Sequence, residues 1–295
     1  MLDLQFDAPQ TLDQALGAMA TGAAGTKPLA GGSDLIVQMR SGRIQPERIV
    51  DLKRIPELIG IRADGAGGTG WWIAAATSCA VIGAHAGLRA AWPGVVEAAC
   101  LIGSPQIQGR ASIGGNLCNA SPAADSVPAL IAAGAVCVVA SQAGQRECPV
   151  EQMLQGPGRN TLAPGELLLA IRLPARAARS GDAYLRLIPR TEMDIAVVGV
   201  GVNLSLDAQG RVTQARIALG AVAPTALLVA EAAQAIQGST LDTAACQRLE
   251  VAVRAACRPI DDKRGTAAYR TRVAGVLATR AARIAYQRAM ESTAT

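Results

Sequence analysis

The chain has 295 residues, half of them hydrophobic, with 28 Lys and Arg against 23 Asp and Glu and a formal charge of +5. That length can bury a sizeable core and divide into two or three domains. A single His excludes a multi-histidine metal site, and seven Cys without a C-x-x-C spacing argue against zinc or an iron–sulfur cluster in this chain. Scattered through apolar segments, those cysteines read as reduced thiols of a cytoplasmic protein. Met1 to Asp7 lacks the basic and apolar regions of a signal peptide, and the longest apolar run, Ala129 to Ala140, is too short to span a bilayer.

Residues 1–60 read as a small α/β unit. Leu12, Ala15, Leu16 and Met19 form a helical stripe behind a Thr11 cap. A strand at Lys27 to Ala30 then enters a glycine turn, Leu29-Ala30-Gly31-Gly32-Ser33-Asp34-Leu35-Ile36, in which Ser33 and Asp34 are read as capping a helix that stops near Gly42. Free amides at a helix start behind two glycines form a natural phosphate seat. Arg48 to Leu52 is a short strand, and Gly65 to Gly70 a turn or boundary.

Residues 61–177 form a larger α/β portion. Trp71 to Ala76 reads as a strand, Thr77 to Ala90 as one helix containing His85 in a structural role, and Pro93 to Ala99 as the start of another. Ile102 to Asp125 then shows almost no periodicity and reads as a long functional loop. Within it, Ser112-Ile113-Gly114-Gly115-Asn116 repeats the small-residue chemistry of the first turn, with backbone N–H groups able to converge on an anion. Two such loops suit a ligand with two adjacent phosphates. A helix at Val127 to Ala133 and strands at Ala135 to Ala140 and Leu167 to Pro174, the latter ended by the proline, complete the portion.

From residue 178 the pattern becomes α+β, with three antiparallel strands at Tyr184 to Ile188, Ile195 to Leu206 and Val212 to Gly220. Helices follow around 226–237, 242–256 and 264–290. The segment from Cys246 onward carries ten Lys/Arg against four Asp/Glu. Its arginines are interleaved with Ala, Val and Leu and lack the aromatic platforms of single-strand binders. They read as a solvated helix face or as a surface for an acidic partner subunit, with Arg270, Arg272 and Arg280 as candidates for the latter, and not as a nucleic-acid site.

Four ordered motifs carry a resemblance: Ala30-Gly-Gly-Ser-Asp-Leu35, Ser112-Ile-Gly-Gly-Asn116, Arg190-Thr-Glu-Met-Asp-Ile-Ala196 and Tyr269-Arg-Thr-Arg-Val-Ala-Gly-Val-Leu277. Together they resemble the FAD-binding medium subunit of molybdenum hydroxylases, the xanthine dehydrogenase and carbon monoxide dehydrogenase flavoprotein family. The resemblance implies an α+β chain: a two-part FAD-binding domain of the PCMH type, with units at 1–60 and 61–177, then a C-terminal domain at 178–295 built on a three-stranded antiparallel sheet. It implies that Leu29 to Ile36 and Ser112 to Asn116 hold the FAD pyrophosphate, and that Asp125 lies near the ribityl and phosphate region. Ile102, where xanthine dehydrogenases have an aromatic residue, and Leu168 would contact the flavin. Arg186 stands where those enzymes place a lysine, and keeps the charge but not the geometry. Asp194 falls near the expected isoalloxazine face, and could equally cap a turn.

Implied partners are a large molybdopterin subunit and a small subunit with two [2Fe–2S] clusters, assembled as a dimer of heterotrimers. The substrate would be a small N-heteroaromatic or aldehyde-like molecule bound on another polypeptide. No general base, nucleophile or ligand set stands out in the chain, so a flavin would do the redox chemistry. A self-contained FAD-dependent oxidase or reductase of the same fold, and a non-catalytic nucleotide-binding module, are the alternatives.

Overall fold

A computed structural model describes residues 4–22, 25–65 and 69–292, and its three main sheets follow one another along the chain. The glycine-rich turn expected at 65–70 has its centre, residues 66–68, outside the described residues.

The first sheet is parallel. Strands β1 (Gln5–Asp7), β2 (Thr26–Leu29) and β3 (Arg48–Asp51) lie in the order β1-β3-β2, joined by helices α1 (Leu12–Thr21) and α2 (Leu35–Arg40). Thr11 accepts the Gln14 amide at 3.3 Å and so caps α1. The left-handed Gly42 ends α2: its amide donates to Met39 and that of Arg43 to Gln38, both at 3.0 Å, which stops the helix where expected.

The second portion opens with β4 (Ile61–Asp64) and β5 (Gly70–Ala74). A helical layer follows: α3 (Cys79–Ala84), α4 (Ala86–Ala91), α5 (Pro93–Cys100), α6 (Pro105–Gln108), α7 (Ile113–Cys118) and α8 (Ser126–Ala133). Then come β6 (Val136–Ser141), β7 (Gly144–Pro149), a small ribbon of β8 (Leu154–Gly156) and β9 (Arg159–Asn160), and β10 (Leu167–Leu173). The sheet runs β4-β5-β10-β6-β7 and is antiparallel throughout.

This sheet carries a core on each face. Val138, Ala140, Leu167, Leu169 and Ala170 pack with α1 and β3, whereas Cys137, Val139, Leu168 and Ile171 pack under the helices. The two faces fail to alternate strictly along β10, because the register slips between Leu168 and Ala170 opposite Val139 and Val138. That bulge places the consecutive Leu169 and Ala170 on one side and leaves Leu168 on the helical side.

Two expectations are corrected here. The single helix read over Thr77 to Ala90 is two, broken at His85, whose Nδ1 accepts the Leu88 amide at 3.0 Å and caps α4. The same ring meets Trp71 edge-on with centroids 5.1 Å apart, so the structural role assigned to His85 holds. The stretch 102–125 is not one irregular loop, since it contains α6 and α7. Helices of 4 and 6 residues are too short to leave a periodic signal.

The third sheet, β11 (Ser180–Leu187), β12 (Val198–Leu206), β13 (Val212–Gly220) and β14 (Leu227–Leu228), is an antiparallel meander in that order. It has four strands instead of the expected three, because the 2-residue β14 is too short to show a pattern. Helices α9 (Ala230–Ile236), α10 (Thr243–Ala256) and α11 (Ala267–Glu291) complete the unit. Val198, Val200, Val202 and Leu204 bury one face of β12 in a core shared with Ala274, Ala278, Ala281 and Ala285 of α11. The other face is nearly bare backbone. A Cβ on Gly201 would stand 2.4 Å from the Pro128 carbonyl oxygen, and one on Gly220 2.8 Å from Pro128 Cγ. Helix α8, all of whose residues are buried, therefore lies directly against the third sheet.

Charges also bridge the second and third portions. Arg288 on α11 pairs with Glu97 on α5 and donates to the Asp182 carbonyl at 2.8 Å. Arg176, stacked 4.3 Å from the centroid of the Trp92 ring, reaches the Asp182 carboxylate at 3.1 Å. Burial outweighs these cations and pushes the Asp182 carboxyl up to about 6. A carboxyl whose pKa is higher in the folded than in the unfolded state contributes stability that is complete below the unfolded value and lost as pH rises through the folded one. The wild type should therefore lose about 1–3 kcal/mol relative to Asp182→Asn between roughly pH 4 and pH 7. Urea denaturation of both proteins across that window measures the gap; a constant gap would mean that Arg176 and Arg288 fully offset the cost of burying the charge.

Candidate cofactor site

The two glycine motifs, far apart in the chain, meet at the junction of the first and second sheets. After β2 the backbone passes so close to the segment before Ser112 that a Cβ on Gly31 would lie 2.3 Å from the Arg110 carbonyl oxygen. Gly32 then turns with φ +81°, a conformation that L side chains rarely adopt. Among the described residues, no carbonyl or side chain accepts from the amides of Gly31, Gly32, Ser33 or Asp34. Asp34 is exposed and makes no side-chain cap, contrary to the reading of Ser33 and Asp34 as helix caps. The Gly32 and Asp34 carbonyls instead accept the Ile36 and Gln38 amides at 3.1 and 2.9 Å.

The second motif is a helix start and not a turn. Ser112 is extended, and its Oγ accepts the Gly115 amide at 3.0 Å, capping α7. Gly114 and Gly115 lie within α7, and neither has a positive φ. Gly114 serves close packing: its Cβ would stand 2.3 Å from the Ala75 carbonyl oxygen. Gly115 is far less confined, with Ser112 Oγ at 3.1 Å and the Ala30 Cβ at 3.9 Å as the nearest atoms to such a Cβ. Gln38 Nε2 donates to Asn119 Oδ1 at 2.9 Å, which ties α2 to the end of α7.

Asn116 links this motif to the next site residue. Its Oδ1 accepts from the Ser126 hydroxyl at 2.7 Å and the Ser126 amide at 3.2 Å, fixing the start of α8 beside α7. Asp125, immediately before, is buried, and both its oxygens are taken by the third sheet. Oδ2 accepts from Arg186 Nη1 at 2.8 Å and Oδ1 from the Tyr184 hydroxyl at 3.2 Å. Burial pushes the Asp125 carboxyl up, against the opposing pull of Arg186 and Tyr184. It pushes the Tyr184 phenol well up too, with the Asp125 charge adding to the effect. The Arg186 side chain is only 6% exposed, and its Nε is buried without a partner among the described residues.

Tyr184 is the member of this group to which the sequence assigned no role. The signal was its position two residues before Arg186 on a strand, hence on the same face. Ile102 and Leu168 both lie in the core beneath the helical layer, 8% and 4% exposed, the core to which Ile113 also belongs. Leu29 is buried at the end of β2, whereas Leu35 is half-buried and Ile36 exposed at the start of α2. Among the described residues, no hydrogen bond or ion pair joins Asp194 to this group. It caps its own turn, taking the Ile195 amide at 2.8 Å and Arg190 Nε at 3.1 Å, and Arg190 holds its carboxyl below the usual range. Arg270, expected to face a partner, is instead 4% exposed: it donates to the Val197 carbonyl at 2.8 Å and pairs with Asp262 at 2.6 Å.

Amides without acceptors beside a close approach of two backbones are features suited to holding an anion. Residues 2–176 match the family described as FAD binding domain in molybdopterin dehydrogenase, and residues 183–285 match the CO dehydrogenase flavoprotein C-terminal domain. The carbon monoxide dehydrogenase medium chain of Hydrogenophaga pseudoflava is 34% identical, over 96% of this chain and 97% of that one. The nicotinate dehydrogenase FAD-subunit of Eubacterium barkeri is 30% identical over 82% of each chain. Among solved structures, a carbon monoxide dehydrogenase from Hydrogenophaga pseudoflava that lacks the Mo-pyranopterin moiety superposes with a TM-score of 0.92. It is 35% identical, with 97% of this chain and 98% of that chain covered. The chain thus belongs to the family of FAD-binding subunits of molybdenum hydroxylases, and is the flavoprotein part of an oxidoreductase.

Proposed function

We propose that the chain relays electrons through FAD within a molybdenum hydroxylase complex. They would come from [2Fe–2S] clusters of a small partner subunit and pass to an external acceptor, while a large molybdopterin subunit hydroxylates the substrate. A dimer of such heterotrimers, working in the cytoplasm, is the assembly that fits this role. The three sheets support reading 1–60, 61–177 and 178–295 as its units. The relatives' names range from carbon monoxide to nicotinate dehydrogenase, and within that range a small N-heteroaromatic or aldehyde-like substrate suits this chain.

The observation that carries the reading is the meeting of the two glycine motifs, with four amides of the first lacking an acceptor among the described residues. In this reading the amides of Gly31, Gly32, Ser33 and Asp34, between Leu29 and Ile36, face the pyrophosphate from one side. Ser112 to Asn116 face it from the other, with Gly115 keeping the approach open. Asp125 and Arg186 would meet the ribityl and flavin end. Ile102 and Leu168 would touch the ring only through the small apolar surface they leave uncovered. When bound, FAD supplies the electron-accepting chemistry; the chain holds and orients it and excludes water around it.

Acid precipitation of the purified chain should release a yellow chromophore identified as FAD by mass spectrometry, and FMN alone would sink the pyrophosphate argument. The two glycines of α7 should then separate fold from binding. Gly114→Ala pushes against the Ala75 carbonyl and should cost about 1–3 kcal/mol in the melting of the apo protein. Gly115→Val should leave apo stability nearer wild type but lower FAD affinity about tenfold or more, since its side chain would project towards the first loop. Equal FAD affinity in Gly115→Val would make the motif a structural helix start.

The relay itself is tested by anaerobic mixing. Reduced large and small subunits should bleach the flavin of this chain, while the chain alone should turn over no hydroxylase substrate. Efficient turnover without partners would favour a self-contained flavoenzyme.

A further inference from the structure

Asp125 is held from outside the portion of the chain that contains it. Both oxygens are bonded by side chains of β11, a strand of the third sheet, and Asp125 directly precedes the residue that Asn116 of α7 grips. The third sheet is shaped for this contact. Tyr184 and Arg186 alternate with Ala183, Leu185 and Leu187, which face the opposite core. The Tyr184 ring lies across the bare face of β12, where a Cβ on Gly199 would come within 2.7 Å of its hydroxyl. Tyr184 is 3% exposed, and its ring joins the core of the second portion instead of that of its own sheet.

We infer that Tyr184, given room by Gly199, is a positioning residue for the FAD site: its hydroxyl fixes the Asp125 carboxylate and, through it, the orientation of the Arg186 guanidinium that would meet the ligand. The inference rests on the FAD-binding reading above. The unpartnered Nε of a side chain only 6% exposed is the independent sign that Arg186 has a partner still to meet. If the hydroxyl were missing, Oδ1 of Asp125 would lose its donor at 3.2 Å and the carboxylate would be free to turn about its remaining bond to Arg186. The guanidinium would then be held in no single orientation towards the ligand. Through Ser126 and Asn116 the same loosening reaches the start of α7. The third sheet would in this way determine how tightly the first and second portions hold the cofactor.

The charged groups around Asp125 are few. Arg186 and the Tyr184 hydroxyl come from β11, and Asn116 and Ser126 beside it are neutral. Glu97 of α5 accepts the Tyr184 amide at 3.5 Å but is paired with Arg288. The Tyr184 O–H donates to the charged form of Asp125 and so lowers its pKa; removing the hydroxyl should raise it.

The test compares Tyr184→Phe with wild type and with Tyr286→Phe. The last removes a hydroxyl of the same domain that donates to the Gly210 carbonyl at 2.8 Å, away from Asp125. Apo proteins are titrated with FAD by flavin fluorescence between pH 5 and 8 (a working range chosen to bracket a raised carboxyl, about neutral at its centre). Tyr184→Phe should bind FAD about tenfold more weakly at neutral pH. Its acid limb, where affinity falls as Asp125 takes a proton, should lie at higher pH than in wild type. Gly199→Ala, which displaces the ring while keeping the hydroxyl, should weaken binding in the same sense, and Tyr286→Phe should change neither reading. Wild-type affinity and an unmoved acid limb in Tyr184→Phe would overturn the positioning role, as would the same losses in Tyr286→Phe. Failure of the wild type itself to bind FAD would instead defeat the reading on which the inference rests.

Discussion

The arrangement depends on one short helix that has no side facing water. All of α8 is buried, between the helical layer of the second portion and the bare face of the third sheet. A helix buried on both faces needs one neighbour that comes close without side chains. Gly201 and Gly220 supply it, leaving room for Pro128, while Gly199 does the same for Tyr184. Side chains at these places would separate the two portions by roughly the thickness of a methyl group or more, enough to strain a close-packed interface. Because Asp125 stands just before α8, the seating of that helix also sets where its carboxylate lies.

Glycine acts in the cofactor site mainly as a spacer and only once as a left-handed turn. Gly31 brings the first loop onto the Arg110 carbonyl and Gly114 brings α7 onto the Ala75 carbonyl, each at a separation no Cβ would tolerate. Only Gly32 among the glycines of the two motifs takes a positive φ. The physical consequence is a pair of backbones fixed against each other before any ligand arrives. Amides that are prearranged in this way lose little conformational entropy on binding an anion.

Much of the fold was legible because burial imposes a period. The stripe at Leu12, Ala15, Leu16 and Met19, the apolar β10 and the long α11 were read close to their observed limits. What escaped lacked such a pattern. Strand β7 is an edge with mostly exposed side chains, α6 and α7 are only 4 and 6 residues long, and the break at His85 depends on a side-chain cap instead of hydrophobicity. In the site, the loops could be found locally, since a helix start behind glycines is a contiguous signal. The bond between Asp125 and Tyr184 joins elements far apart in the chain, and no local pattern encodes it. The alternation Val198-Gly-Val-Gly-Val202 was visible as a strand, but its meaning lies in what packs on the glycine side, which only the tertiary structure supplies.

Charge shows the same limit most clearly. The basic excess after Cys246 suggested an outward docking surface, yet much of it is used internally. Arg270 holds the carbonyls that precede β12 and follow β13, Arg288 closes the contact with α5, and Arg264 lies against Asp262 and Asp194. Of the three candidates, Arg272 and Arg280 do point outward, and Arg283 joins them on the exposed side of α11. A guanidinium can satisfy several carbonyls and a carboxylate at once, which makes arginine suited to joining loop ends that have no sheet partner. Net charge counts such residues and surface residues equally, so it overstates the field a partner would meet. The separation appears only when each guanidinium is assigned its acceptors, and for this chain that assignment leaves exposed cations at Arg248 on α10, at Arg258 and Lys263 between the helices, and at Arg272, Arg280 and Arg283 on α11.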